Sequence, residues 1–135
     1  PFMTLPDGKP LSSGGVRRGY SEMGRVTGPD FMEQVIAATE KSDARHYFYG
    51  TTQKNLNPLL EYLKANYPPL SIVGCEPSLF RPLTIQEEAG LGDRINESKA
   101  DFVWVALGAP REEKFCAKLS KNTKFFFSKR KTSDF

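Results

Sequence analysis

Histidine and tryptophan each occur once in this 135-residue sequence, and cysteine only twice. The single histidine, His46, stands at the start of an apolar stretch, where packing or hydrogen bonding is the expected role rather than catalysis. Cys75 and Cys116 are far apart and show no C-x-x-C spacing. That excludes a disulfide framework and the usual zinc motifs, and it predicts buried thiols in a reduced, cytosolic protein. No apolar run approaches the length needed to cross a bilayer. Neither a Walker A sequence nor G-x-G-x-x-G is present, so the two best-known phosphate-binding fingerprints are missing. Asp-x-Asp, a common metal-holding motif, does not occur either.

What remains is ordinary for a folded domain: 39% hydrophobic and 26% charged residues. The length suits one domain with a core that needs no cross-links. The net charge of +3 is unevenly spread. Lys118, Lys121, Lys124, Lys129, Arg130 and Lys131 crowd the end of the chain, where Asp134 is the lone acid, while acids outnumber bases in the rest. A basic run of this kind is most simply a solvated surface, and no nucleic acid is expected as a partner. The sequence opens on Pro1 without an initiator Met, which predicts a start inside a longer gene product.

From Gly28 onward the pattern is regular. Thr27 or Asp30 caps a helix expected over Pro29–Lys41, with Pro29 suited to its first turn. An aromatic strand, His46–Tyr49, ends at Gly50. A helix over about Thr52–Asn66 follows, with Leu56, Leu59, Leu60 and Leu63 on one side. Pro58 suggests a later start. Leu70–Val73 reads as a strand stopped by Gly74. Thr84 with Glu87 forms a capping box ahead of a helix to Ser98. Asp101–Leu107 is the strongest strand signal, nearly all apolar as for a parallel strand buried on both faces, with Trp104 expected in the core. A helix over Pro110–Ser120 closes the series. A short helix near Leu11–Tyr20 and a strand at Phe125–Phe127 are weaker signals. The alternation predicts an α/β, Rossmann-like parallel sheet of three to four strands flanked by helices. The core domain is expected over residues 1–124, followed by an atypical basic tail over 125–135.

Ligands in open α/β sheets sit beyond the carboxyl ends of the strands. Three segments are expected there: Gly50-Thr51-Thr52-Gln53-Lys54, Gly74-Cys75-Glu76, and Gly108-Ala109-Pro110-Arg111-Glu112-Glu113. Each joins a glycine turn to a helix start, whose free backbone N–H groups suit a phosphate. Glycine at strand ends also serves turn geometry alone, so the segments by themselves do not name a reaction.

Ordered motifs do more. Pro6-Asp7-Gly8-Lys9-Pro10, Gly24-Arg25-Val26-Thr27-Gly28-Pro29-Asp30-Phe31, Tyr47-Phe48-Tyr49-Gly50, Tyr67-Pro68-Pro69-Leu70-Ser71-Ile72-Val73-Gly74, Ile95-Asn96 and Val105-Ala106-Leu107-Gly108-Ala109-Pro110-Arg111-Glu112-Glu113-Lys114 follow one another in sequence. In order and spacing this set, spanning about Leu5 to Leu119, resembles the WecG/TagA/CpsF family of glycosyltransferases. The resemblance implies transfer of a hexose or N-acetylhexosamine, of the N-acetylmannosamine type, from a UDP-sugar to an undecaprenyl-diphosphate-linked acceptor. It implies inversion, no metal or other cofactor, and products that feed common antigen, teichoic acid or capsule. Asp7 would be the catalytic base. Arg25 and the turn through Gly108, Pro110, Arg111, Glu112 and Glu113 would hold the donor, with Gly50, Thr51 and Gly74 as further substrate-binding positions. A cytoplasmic location, peripheral at the inner face of the plasma membrane, goes with a lipid-linked acceptor.

The chemistry is coherent with that assignment. An acceptor hydroxyl needs a base as its bond forms, and Asp7 beside flexible Gly8 can offer one. Charge developing on the departing diphosphate can be met by arginine and helix N-termini instead of a metal. Several positions depart from the family pattern. Arg111 and Glu112 replace lysine and glutamine, and a carboxylate near a diphosphate repels it unless Arg111 or Lys114 offsets the charge. A polar N-terminal segment is missing, a bulky residue usual near Ser13 is absent, and Phe125-Phe126-Phe127-Ser128 stands where a glycine-rich strand is usual. These departures predict reduced activity, with a catalytically incomplete nucleotide-binding remnant as the alternative.

Overall fold

A computed structural model describes residues 13, 15–19, 27–108 and 111–123. Asp7, Arg25 and Pro110, together with the expected strand at 125–127 and the tail, lie outside the described residues. Residues 15–17 are helical and close in a turn at Gly19 (φ 98°), within the short helix expected there.

Four helices and three strands follow in strict alternation: α1 (Gly28–Thr39), β1 (Arg45–Gly50), α2 (Gln53–Asn66), β2 (Ser71–Glu76), α3 (Ile85–Ser98), β3 (Phe102–Ala106) and α4 (Arg111–Asn122). The sheet is parallel, in the order β2-β1-β3. The chain therefore moves outward from β1 to β2 and then crosses to the other side of β1. That reversal puts helices on both faces of the sheet, as in Rossmann-like α/β folds.

Alternation along β1 sorts the core. Tyr47 and Tyr49 point to the face covered by α3 and α4, where they pack with Leu91, Ile95 and Leu119. Phe48 points to the opposite face, against Ile36 of α1 and Leu63 of α2. Each such fully buried aliphatic side chain contributes about 1.5–3 kcal/mol. Middle position, not apolarity, makes a strand buried. β1 is buried almost throughout, whereas β3, the more hydrophobic sequence, is only half-buried and its Ala106 is exposed. The expectation that β3 would be covered on both faces is corrected accordingly, because β3 lies outermost in the sheet among the described residues.

Helix starts follow the sequence closely. Thr27, not Asp30, caps α1, its Oγ1 accepting from the Asp30 N–H at 3.2 Å. Thr52 caps α2 in the same way through Asn55. Pro58 sits inside α2 rather than ahead of it, so the helix loses one internal N–H bond without breaking. The Thr84–Glu87 capping box at α3 is complete.

At the amino end of β1, His46 is fully buried. Trp104 donates its indole N–H to His46 Nδ1 at 3.0 Å. An indole only donates, so the ring proton of His46 must sit on Nε2 and face Thr39 Oγ1, 3.1 Å away. Thr39 in turn donates to the Val35 carbonyl at 2.6 Å. Burial lowers the His46 pKa, opposed in part by Asp101. Histidine and tryptophan are thus structural, as their positions suggested. Cys75 is half-buried, but Cys116 is exposed on α4, against the expectation of two buried thiols.

Candidate functional site

The direction of the chain reverses at β1, so the crevice for a ligand in this topology opens between the carboxyl ends of β1 and β3. Those ends are drawn together. Thr51 donates its N–H to the Ala106 carbonyl at 2.8 Å. Gly50 adopts φ 121°, and a Cβ there would lie 2.3 Å from the Ala106 oxygen, so only glycine fits. Thr51 follows in the left-handed region with φ 50°. Its carbonyl accepts the Ser78 N–H at 3.0 Å, which ties the β2–α3 loop to the same point. Gly108, φ 77°, turns the chain out of β3, and its carbonyl accepts the N–H groups of Arg111 and Glu112 at the start of α4.

A cavity of about 210 Å³ lies at this end of the sheet. Tyr49 lies along it, its ring stacked on Phe115 with centroids 5.1 Å apart. Phe80 and Leu83 close another side. Four cations line it: Arg81 from the β2–α3 loop, and Arg111, Lys114 and Lys118 from α4. Glu88 is the one acid among the lining residues, and it holds Lys118 at 3.3 Å. Arg81 is engaged by Glu87 in a two-pronged pair at 2.7 and 2.8 Å. That pair and the capping bond from Thr84 hold the exposed Glu87 carboxyl down at about 2. Arg111 and Lys114 make no ion pair among the described residues. Two cations without an ion-pair partner among the described residues, over a mostly apolar hollow, suit a phosphate-bearing ligand.

The helices add to the positive field. In a parallel sheet every helix that follows a strand begins at the carboxyl end, so α2, α3 and α4 all direct N-termini this way. Glu87 and Glu88 offset α3, and Glu112 and Glu113 offset α4, while α2 carries no acid in its first turn.

Beside this hollow, and sharing Tyr49 and Leu83 with it, is a larger one of about 550 Å³ along the end of β2. Glu76 lies in it, gripped by Arg94 at 2.7 and 2.9 Å and accepting the Tyr47 hydroxyl. The Arg94 bonds are the main reason the Glu76 carboxyl titrates low. Burial and the Glu76 bond push the Tyr47 hydroxyl well up.

Set against the expected site residues, the geometry brings Gly50, Thr51, Gly108 and Arg111 to one end of the sheet. Glu112 and Glu113 begin α4 but do not line the cavity. Gly74 is not at a strand end. β2 continues through Glu76, and Gly74 makes room for the Tyr47 ring, which an added Cβ would meet at 2.1 Å. Lys118, Phe115 and Tyr49 were not singled out from the sequence as site residues. A signal existed: Arg111, Lys114, Phe115 and Lys118 stand at i, i+3, i+4 and i+7, one stripe of α4. Lys118 lies within that helix as expected, and the helix runs two residues past the expected Ser120 to include Lys121. Among the described residues no three His, Cys, Asp or Glu side chains gather where a metal could be held.

Comparison with known proteins gives a consistent result. The family described as "Glycosyl transferase WecG/TagA/CpsF family" matches residues 2–128. An N-acetylglucosaminyldiphosphoundecaprenol N-acetyl-beta-D-mannosaminyltransferase of Bacillus spizizenii is 27% identical over 111 residues, covering 82% of this chain and 37% of that protein. The Bacillus subtilis protein of the same name is 25% identical over 91 residues, 67% of this chain and 34% of its own length. The chain thus spans a little over a third of the length of the curated relatives it matches.

Proposed function

Because this chain belongs to the WecG/TagA/CpsF family of glycosyl transferases, we propose that it contributes the donor-binding part of a hexosyltransferase. The donor is a UDP-sugar. The sugar is a hexose or N-acetylhexosamine of the N-acetylmannosamine type. The acceptor is a sugar on undecaprenyl diphosphate, in keeping with the names of the two Bacillus relatives. The product enters cell-surface polysaccharide such as teichoic acid or capsule, and the reaction takes place at the cytoplasmic face of the membrane.

The observation that carries this reading is the cavity with Arg111 and Lys114 at the carboxyl ends of β1 and β3. As the glycosidic bond to UDP breaks, negative charge grows on the departing diphosphate. Fixed guanidinium and ammonium groups stabilise that charge without needing to reorganise. Arg25 and the Gly108–Glu113 turn belong to the same donor site in this reading, with the N-terminus of α2, which carries no acid in its first turn, as a further phosphate contact. Asp7 takes the proton of the acceptor hydroxyl as it attacks the face of the sugar opposite UDP, which inverts the anomeric centre. The absence of Asp-x-Asp supports a metal-independent route, with cations of the protein in the role a metal plays elsewhere.

Calorimetry with UDP and a transfer assay with a lipid-linked acceptor test the proposal together. UDP binding that is lost in Arg111→Ala/Lys114→Ala supports the donor site. Full binding by that double variant removes the cavity from the reading. Transfer abolished by Asp7→Asn, with UDP binding kept, supports the base, whereas normal turnover by that variant excludes it. Binding without turnover in the unaltered chain favours the alternative of a nucleotide-binding module.

A further inference from the structure

The hollow along the end of β2 differs in charge from the one beside it. Its charged lining groups are each taken up in an ion pair, Glu76 with Arg94 and Glu87 with Arg81, both at 2.7 Å. Next door, Arg111 and Lys114 have no ion-pair partner among the described residues. An anion is therefore drawn to the neighbouring hollow, and a neutral polar molecule suits this one. At about 550 Å³ it falls in the size range of small-molecule sites.

Its polar groups are fixed in place yet not used up. The Glu76 carboxylate is held from the core by the Tyr47 hydroxyl and from α3 by Arg94. Oε1 takes two of those bonds and Oε2 only one, so Oε2 can accept another. Arg94 spends two of its five N–H donors on Glu76. Tyr49, Leu83 and the half-exposed Leu79 add an apolar wall. A fixed acceptor and donor beside such a wall match a pyranose ring, which carries hydroxyls around its edge and C–H groups on its faces. Gly90 is an independent sign. It stands inside α3, where glycine weakens a helix, and its φ is not positive, so the backbone does not demand it. Gly90 lines the hollow, and an added Cβ would lie 3.4 Å from a terminal nitrogen of Arg94. Glycine here keeps the Arg94 side of the hollow open.

We propose that this hollow binds an uncharged sugar ring, the sugar of the lipid-linked acceptor, through Glu76 and Arg94. The two hollows share Tyr49 and Leu83, so a sugar held here adjoins a donor held next door. Transfer between two substrates requires adjoining sites, because the reacting atoms must be brought into contact in a fixed orientation. That the sugar is the acceptor's rests on the proposed function. That the hollow takes a neutral sugar rests on its own charge balance and on Gly90.

Ligand-observed NMR on the full chain tests the site, with methyl N-acetyl-α-D-glucosaminide as the probe. That glycoside carries the sugar in the acceptor named for the two Bacillus relatives, without its diphosphate. It is expected to bind whether or not UDP is present. Glu76→Gln and Gly90→Leu should each weaken it about tenfold, the usual worth of one charge-assisted hydrogen bond, with UDP affinity in calorimetry nearly unchanged. Leucine suits a helix better than glycine, so the urea midpoint of Gly90→Leu should hold or rise while glycoside binding falls. A purely structural role for Gly90 would not produce that split. The proposal is overturned if the unaltered chain does not bind the glycoside, or if either variant binds it as the parent does. It is also overturned if free uridine displaces the glycoside, since the hollow would then hold the nucleoside of the donor. Glycoside binding without UDP binding leaves the sugar site standing while the donor reading falls. UDP binding without glycoside binding does the reverse.

Discussion

At its amino end β1 buries a histidine whose two ring nitrogens are both satisfied; at its carboxyl end the same strand runs into a glycine at positive φ, a left-handed threonine and a group of cations. The first end spends every polar group on the fold, through Trp104, His46, Thr39 and Val35. The second leaves Arg111 and Lys114 without ion-pair partners among the described residues, beside an open hollow. The whole strand is only six residues long. Stability and ligand binding are therefore divided along a single strand, and changes at either end should have separable consequences.

The sharpest way to break that division is at the junction of β1 and β3. Gly50→Ala forces a methyl group into the Ala106 carbonyl at a φ that suits only glycine. A loss of about 3 kcal/mol or more is expected, read as a fall in the urea midpoint, with the cavity lost as well. Next comes His46→Leu, which strands the Trp104 N–H and the Thr39 hydroxyl. It should cost about 2–3 kcal/mol in urea melts and leave UDP affinity unchanged at pH 8, a temperature and pH at which the variant is still folded.

Acid sharpens the contrast. Burial depresses the His46 pKa below its ordinary 6.5, so the fold binds fewer protons than the unfolded chain. Stability from this group is complete above about pH 6.5 and falls as the pH drops toward the folded value. Urea midpoints measured from pH 8 to pH 5 should decline in the parent and stay flatter in His46→Leu. A second loss belongs to Glu87 and Glu76, whose carboxyls titrate below 4.5 in the fold. Their contribution holds above about pH 4.5 and disappears below it, with Glu87 protonated only near 2.

At the other end the expected effect is on ligand rather than fold. Arg111→Ala should weaken UDP binding about tenfold in calorimetry, the usual worth of one charge-assisted hydrogen bond. Its urea midpoint should move by no more than about 0.5 kcal/mol, since the side chain is on the surface. A variant that lost stability and binding together would merge the two regions that the geometry keeps apart.

Much of this was readable in the chain. The seven elements, their order and the Thr84 cap follow from short-range pattern, with Thr27 one of two candidates at α1, because capping and periodicity are local; the Thr52 cap of α2 reads in sequence as part of the helix itself. Gly50 and Gly108, read as strand-ending glycines, do lie at one end of the sheet. Gly74 misled because a glycine that admits a neighbouring ring looks the same in sequence as one that ends a strand. Lys118 counts in sequence with the basic run near the end of the chain and reads there as solvated surface, although the i, i+3, i+7 spacing of Arg111, Lys114 and Lys118 already places them on one helical face. The crossover from β2 to β3 brings Phe80 and Arg81 to the same hollow.

The sequence by itself determined the alternation of helices and strands, and with it a parallel sheet whose helix N-termini share one end, since these depend on short-range pattern. Tertiary structure alone decided that the aromatic strand, and not the more apolar one, takes the middle of the sheet. It also decided which charged side chains from three separate segments face a common hollow. Strand order is set by pairings between residues far apart in the chain, and no local pattern records them.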